Sequence, residues 1–427
     1  MPEEKIVYTV MCADYFHAGH MNIIEKSRQL GKLIVGVMTD EAMASYKRVP
    51  MLPYEKRAKV MENIKGVWKV VPQNTLDYTD NLRKYKPDIV TNADDWKEGV
   101  QKKTRQKVIE VLKEWNGKLI EIPYTKGISS TKVIKSIHTE FTTDEKLCRL
   151  RRIIDSKKLV RVIEAHNGLS ALIVENAKSG NKEYDAIWES SFTDSSSKGK
   201  PDIELVDFSS RIHTINEILE VSNKPIIVDL DTGGQTEHFK YMVKTLERLG
   251  CSAVIIEDKK FPKRNSLMEN AKHQRETLEN FCEKIRVGKN AQITEDFMIV
   301  ARIESYIAGQ GLGDAIVRAK AYIKAGADGI LIHSKEPSAH QIVEFCEEYN
   351  KFKNRVPLFI VPTTYSTFSE KEMIYHGVDV VIYANQLLRA SFTAMEHVAS
   401  EILDYESCDI KDIASPKEIF EVTNAIN

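Results

Sequence analysis

Two groups of residues have the types and spacing that chemistry needs. In the second half of the chain Asp229, Asp231 and Glu257 supply carboxylates, while Arg302 and His333 supply groups that could face them. Carboxylate oxygens suit a hard cation such as magnesium, which keeps several waters and is completed by substrate oxygens. A guanidinium and an imidazole opposite such a cluster describe a site for a small dianionic or trianionic substrate. Either aspartate alone could be an ordinary strand-end carboxylate or a helix cap; five groups placed alike favour a site. Near the N-terminus, Asp14-Tyr15-Phe16-His17-Ala18-Gly19-His20 leads into an amphipathic segment. Two imidazoles three residues apart at a helix start can present donors to a phosphate, and the helix N-terminus adds backbone N–H groups. Gly19 permits close backbone approach. Such a pair alone could also be structural or bind a metal.

Positioning these groups requires strands, and short apolar β-branched runs alternate with helix-sized segments in two blocks. The first block has runs at Ile6–Val10, Leu33–Val37, Val67–Val71, Asp88–Thr91 and Lys118–Ile122. It predicts a small doubly wound α/β domain with a parallel sheet. The second has eight runs: Val160–Ile163, Ala186–Trp188, Ile226–Val228, Ala253–Ile256, Met298–Ala301, Gly329–Ile332, Leu358–Val361 and Val378–Ile382. Eight runs in about 240 residues match a (β/α)8 barrel, with an open sheet as the weaker option. Barrel chemistry gathers at the C-terminal strand ends, where Ser190, Asp229, Asp231, Glu257, Asp258, Arg302, Glu304, His333 and Asn385 all fall. Apolar periodicity is lost at HTEFTTDEK, which divides the chain into domains 1–137 and 148–427 with a linker at 138–147. Gly309-Gln310-Gly311-Leu312-Gly313 lacks the spacing of a dinucleotide fingerprint and reads as a barrel loop.

The 427 residues carry 61 Lys+Arg against 62 Asp+Glu. That balance argues against a nucleic-acid binder, which needs clustered positive charge. The 6 cysteines are scattered, without zinc-ligand spacing. No apolar stretch approaches the roughly 20 residues needed to span a bilayer, and MPEEKIVYTV does not read as a signal peptide. A reduced, cytoplasmic protein with no membrane partner is the expectation.

The segments Val162-Ile163-Glu164-Ala165-His166-Asn167-Gly168, Ile187-Trp188-Glu189-Ser190, Asp229-Leu230-Asp231-Thr232-Gly233, Glu257-Asp258-Lys259-Lys260-Phe261-Pro262-Lys263-Arg264-Asn265-Ser266 and Ala301-Arg302-Ile303-Glu304 closely resemble phosphoenolpyruvate mutases of the isocitrate lyase superfamily. The likeness extends through His333 to Asn385. It implies conversion of phosphoenolpyruvate to phosphonopyruvate, with Mg2+ as cofactor and a homo-oligomeric state. By resemblance, Asp229 would bind the metal directly, and Asp231 and Glu257 largely through water. Trp188, Ser190, Ser191 and Phe192 would contact the substrate, the backbone near the serines stabilising its enolate. Arg302 and His333 would hold phosphoryl oxygens, and Asp202 matches the family's candidate nucleophile. Lys259–Ser266 would be a lid that excludes water, with Lys263 and Asn265 its working residues. The superfamily's carbon–carbon lyases have a catalytic cysteine in that lid, where this chain has Asn265. Glu189 and Ser191 depart from the glycine common beside Ser190.

Together with the histidine motif, Pro53-Tyr54-Glu55-Lys56-Arg57, Lys86-Pro87-Asp88, Asp94-Asp95-Trp96 and Gly127-Ile128-Ser129-Ser130-Thr131 resemble the cytidylyltransferase family, in its glycerol-phosphate and ethanolamine-phosphate branch. The resemblance implies that His17 and His20 stabilise the α-phosphate transition state, that Ser130 and Thr131 cradle the outgoing phosphates, and that Lys47 and Arg57 add positive charge. Met11, Ala13 and Ala93 depart from the pattern, and Met11 would crowd the nucleotide. The pair of domains implies a bifunctional enzyme of phosphonate biosynthesis that takes CTP and a small phosphonate at its N-terminal site. The rivals are phosphonopyruvate hydrolysis or carbon–carbon cleavage on the barrel, with a degenerate N-terminal domain serving only binding.

Overall fold

The computed structural model describes residues 4–14, 16–97, 101–123, 143–268 and 271–423. Contacts between Cα atoms divide the chain into two compact units, residues 1–140 with 155–157, and residues 141–154 with 158–427.

In the first unit, strands β1 (Ile6–Met11), β2 (Lys32–Met38), β3 (Val67–Gln73), β4 (Ile89–Ala93) and β5 (Lys118–Ile122) form a parallel sheet in the order β3-β2-β1-β4-β5. Alternation sends Tyr8, Val10, Ile34 and Val90 to one face, against Leu82, Trp96 and Val108, and Val7, Leu33, Val35 and Val37 to the other, against Ile24 and Met61. Covering both faces requires β1 and β2 to be apolar almost throughout, which is why they read as continuous runs. Met11 is buried in the second of these clusters with Ala13 and Ile24, so its side chain packs in the core, contrary to the expected crowding of a nucleotide.

Helix Thr143–Ser156 belongs to the second unit except for its last two residues, and its first turn occupies residues the sequence assigned to the linker. Eight parallel strands then close a barrel: β6 (Val160–Glu164), β9 (Ala186–Glu189), β10 (Ile226–Asp229), β11 (Ala253–Glu257), β12 (Met298–Ile303), β13 (Gly329–Ile332), β14 (Leu358–Ile360) and β15 (Val380–Tyr383). The ring is completed by β15 on β6, where Val380 pairs with Val160. A short hairpin, β7 (Lys178–Ser179) and β8 (Lys182–Glu183), lies between β6 and β9. All eight expected runs became barrel strands. Gly309 and Gln310 precede helix Gly311–Ala325, so the glycine-rich stretch is loop and helix start. No helix among the described residues is long and apolar enough to cross a membrane.

Candidate active site

The C-terminal strand ends surround a cavity of about 390 Å³ lined by Trp188, Ser190, Ser191, Phe192, Asp202, Asp229, Lys263, Asn265, Arg302 and His333. Of the expected strand-end residues, Asp231, Glu257, Asp258 and Glu304 do not line it; all four are buried.

Each side chain is placed by its local fold. Ser190 caps helix Ser191–Ser197 through its hydroxyl, which accepts from the Thr193 amide. Asp229 ends β10, and the Ser191 hydroxyl donates to its Oδ2 at 3.0 Å, with the Ser191 amide at 3.4 Å. Beyond it the chain turns through Asp231 (φ 54), Gly233 (φ 72) and Gly234 (φ 60). The left-handed residues send the chain sharply over the strand end, and glycine adopts that conformation without a Cβ penalty.

Charge at the mouth is densely paired. Lys263 is buried, its ammonium 2.6 Å from Asp231 Oδ1, 3.1 Å from Asp202 Oδ1 and 2.9 Å from the Ser191 hydroxyl. Burial disfavours a lone ammonium, but the surrounding Asp231, Glu257, Asp202 and Asp229 carboxylates outweigh it and raise the Lys263 pKa. Burial likewise opposes ionisation of Asp231, and Lys263 and Arg211 overcome it, holding its pKa below the usual value. Arg211 bridges Asp231 Oδ2 at 2.9 Å and Glu189 at 3.3 Å.

Arg302 on β12 pairs in register with Glu257 on the adjoining β11, so it stands beside the carboxylates and not across from them; its Nε donates to Glu304 Oε1 at 2.5 Å. His333 Nδ1 lies 2.7 Å from Glu304 Oε1 and 2.8 Å from Arg302 Nη2. It can donate to the first or accept from the second, not both. Burial, and then the Arg302 charge, lower the His333 pKa and favour its neutral form. Glu304 also accepts from the Ser266 hydroxyl at 2.8 Å, and Lys259 lies 3.1 Å from it. From the lid, Asn265 donates to Asp202 Oδ2 at 2.5 Å, while Leu267 and Met268 line the cavity.

The donor set fits a hard cation. Both Glu257 oxygens are buried without a hydrogen-bond partner, an arrangement costly unless a cation answers them; Lys259 at 3.4 Å and Arg302 at 3.4 Å answer in part. Among the described residues no three carboxylate, imidazole or thiol groups lie close enough to hold one ion directly.

In the first unit His17 caps helix Ala18–Arg28. Its Nδ1 accepts from the Gly19 amide at 3.1 Å, and the His17 amide donates to His20 Nδ1 at 3.3 Å. The ring centroids are 4.1 Å apart. With Nδ1 accepting, each neutral imidazole carries its proton on Nε2. Burial lowers the His17 pKa, and burial plus the neighbouring His17 lowers that of His20 to about 4. Asp14 Oδ1 accepts from the Leu52 amide at 3.0 Å, and Lys47 is exposed. Arg57, expected as added charge for phosphates, is instead fully buried: it donates to the carbonyls of Cys12, Met38 and Leu52 and to Asp40 at 2.6 Å. Ser130 and Thr131 lie outside the described residues.

Sequence reasoning assigned no role to Arg211 or Glu204, and it named Glu304 only as a strand-end carboxylate and Lys259 only as the start of the lid. Arg211 did leave a signal, as a charge on the helix face that buries Ile215 and Ile218.

Residues 150–403 match the family described as phosphoenolpyruvate phosphomutase, and residues 8–136 match the cytidylyltransferase-like family. The chain is 37% identical to phosphoenolpyruvate phosphomutase of Tetrahymena pyriformis over 290 residues, covering 67% of this chain and 94% of that one. It is 35% identical to phosphonopyruvate hydrolase of a Variovorax strain over 277 residues, 64% of this chain and 93% of that one. A crystal structure of a phosphonopyruvate hydrolase with oxalate and Mg2+ superposes with a TM-score of 0.60 at 33% identity, covering 67% and 96% of the two chains. With its barrel matched over most of its length and its site assembled at the strand ends, the chain belongs to the phosphoenolpyruvate phosphomutase family and carries a cytidylyltransferase-like domain ahead of the barrel.

Proposed function

We propose that the barrel interconverts phosphoenolpyruvate and phosphonopyruvate. The P–O bond to the enol oxygen breaks, its electron pair stays on the pyruvate enolate, and carbon three of that enolate bonds to phosphorus. The observation that carries this reading is the lid: Asn265 donates to Asp202, and Leu267 and Met268, each about half exposed, line the cavity, so apolar surface borders the place of the transferring group, where water would divert it to hydrolysis. Arg302 and His333 hold the phosphoryl oxygens, and Asp202 receives or steers the phosphoryl group. Asp229 would hold a magnesium ion directly and Asp231 and Glu257 largely through water, and the ion would supply charge stabilisation for the enolate. Lys263 adds a fixed positive charge on the same side.

The N-terminal domain, on this reading, transfers CMP from CTP to a small phosphonate made later in the same biosynthesis, with pyrophosphate leaving. Imidazoles that carry their proton on Nε2 are suited to donate to a phosphate oxygen in the transition state.

Phosphorus NMR of the protein with phosphonopyruvate and magnesium tests the barrel. A phosphoenolpyruvate resonance is expected; inorganic phosphate without it overturns the mutase reading in favour of hydrolysis. Pyrophosphate release with CTP and a panel of phosphonates, 2-aminoethylphosphonate among them, tests the N-terminal domain. No release with any acceptor, while the barrel turns over, makes that domain a binding or assembly module.

A further inference from the structure

Resting on the mutase reading, we propose that Glu204 is a specificity-determining positioning residue: its one carboxylate fastens the lid to the loop after β10 and so decides whether the phosphoryl group reaches carbon or water.

Glu204 stands two residues after Asp202, in the left-handed conformation at φ 58. A non-glycine residue held there marks a place where the surroundings impose the backbone. Its Oε1 accepts from the Thr232 amide at 3.0 Å and the Thr232 hydroxyl at 2.6 Å, and its Oε2 accepts from the Lys263 amide at 2.6 Å. Thr232 follows Asp231, and Lys263 is the lid residue whose ammonium meets Asp231, Asp202 and Ser191. Three segments thus meet at one side chain: the Asp202 loop, the turn after β10 and the lid.

The chemistry of the contact is selective. Three donors converge on two oxygens, and only an ionised carboxylate offers acceptors alone. Burial, and then the Asp231 charge, push the Glu204 pKa up, while the Thr232 and Lys263 hydrogen bonds oppose that rise. Because the lid bond is made to the Lys263 backbone, it fixes where that residue's side chain begins. The lid is also tied on both sides of this bond: the Lys260 amide donates to the Gln274 carbonyl at 2.9 Å, the Lys263 ammonium meets Asp231 and Asp202, Asn265 donates to Asp202 and Ser266 to Glu304. Between the Lys260 and Asn265 ties the Glu204 bond is the one that holds the lid backbone to the Asp202 loop, so releasing the Lys263 amide loosens that middle stretch and admits water from the Glu204 side.

Glu204→Gln tests this, because its amide NH2 must face either the Lys263 or the Thr232 N–H; Glu204→Asp keeps the acceptors on a shorter arm. Two readouts are used. Phosphorus NMR gives the ratio of inorganic phosphate to phosphoenolpyruvate formed from phosphonopyruvate. Limited trypsin digestion gives the cleavage rate after Lys260 and Arg264, within the lid itself. Losing a hydrogen bond to a charged acceptor is expected to raise both about 10- to 100-fold in Glu204→Gln, with Glu204→Asp between it and the unaltered protein. An unchanged product ratio in Glu204→Gln overturns the specificity role, whatever the cleavage rate, and unchanged cleavage overturns the fastening. If the unaltered protein yields only inorganic phosphate, the mutase reading fails, while the trypsin comparison still decides whether Glu204 holds the lid. Should Glu204→Gln not fold, the same two readouts on Glu204→Asp decide.

Discussion

The two units hold their reactive groups in opposite ways. In the barrel the groups are buried and answer one another: Lys263 among carboxylates, Asp231 between Lys263 and Arg211, Arg302 and His333 on Glu304. In the N-terminal unit the two imidazoles sit at a helix start and are oriented by backbone amides, and the buried cation, Arg57, serves the scaffold. A site built as an ion network takes its precision from mutual pairing and is exposed to the loss of any member. A site built on a helix start takes its precision from the backbone, and single side chains can be altered with local effect.

The largest expected effect separates scaffold from site. Arg57→Ala leaves three carbonyls and Asp40 without their donor and should destabilise the N-terminal unit by about 3–5 kcal/mol. Urea unfolding followed by tryptophan fluorescence checks it, since three of the four tryptophans, Trp68, Trp96 and Trp115, belong to that unit. A loss below about 1 kcal/mol would return Arg57 to the phosphate-binding role suggested by the sequence. Next, Asp229→Ala should lower barrel turnover by about 10²–10³ and leave pyrophosphate release from CTP within about twofold, and His20→Ala should do the reverse. Equal loss of both activities in either variant would end the description of two independent sites. Glu257→Gln should weaken magnesium binding about 10- to 100-fold, read by calorimetry without substrate; unchanged affinity would remove Glu257 from the metal's surroundings.

The smallest effect is one of pH. The His20 pKa falls from 6.5 in an unfolded chain to about 4, so between these values the unfolded chain binds the proton more readily. Its contribution to stability is complete above about pH 6.5 and declines as pH drops toward 4. His20→Gln should flatten that part of the acid unfolding curve; an identical curve would show that the ring is not protected from protonation.

Much of this was legible in the sequence for one reason: parallel strands buried on both faces are written as uninterrupted apolar runs, so the eight barrel runs stood out with polar residues at their C-terminal ends. Asp229, Arg302 and His333 were found because a strand end marks where they point. Glu204 and Arg211 were not, since their importance lies in partners such as Lys263 and Glu189, and no local spacing reports a contact made across the mouth. Arg57 shows the converse. A basic residue in a phosphate-handling motif reads as a phosphate ligand, and only burial distinguishes it from a clamp on Cys12, Met38 and Leu52. Met11 likewise read as an obstacle because sequence does not say which face of β1 it takes.

The pairing of Val160 with Val380 has a consequence for how the chain comes into being. In the N-terminal sheet β1 meets both its neighbours before residue 94 has been made. In the barrel, β6 is made first and its last neighbour is made more than half a chain length later, so a growing chain carries an open strand edge through nearly the whole of barrel synthesis. Edges of that kind recruit other strands, and non-local closure is slow. A ribosome that stalls before β15 therefore releases a chain whose N-terminal unit can be complete while its barrel is a sheet with two unmatched borders, the form in which this protein is most exposed to aggregation.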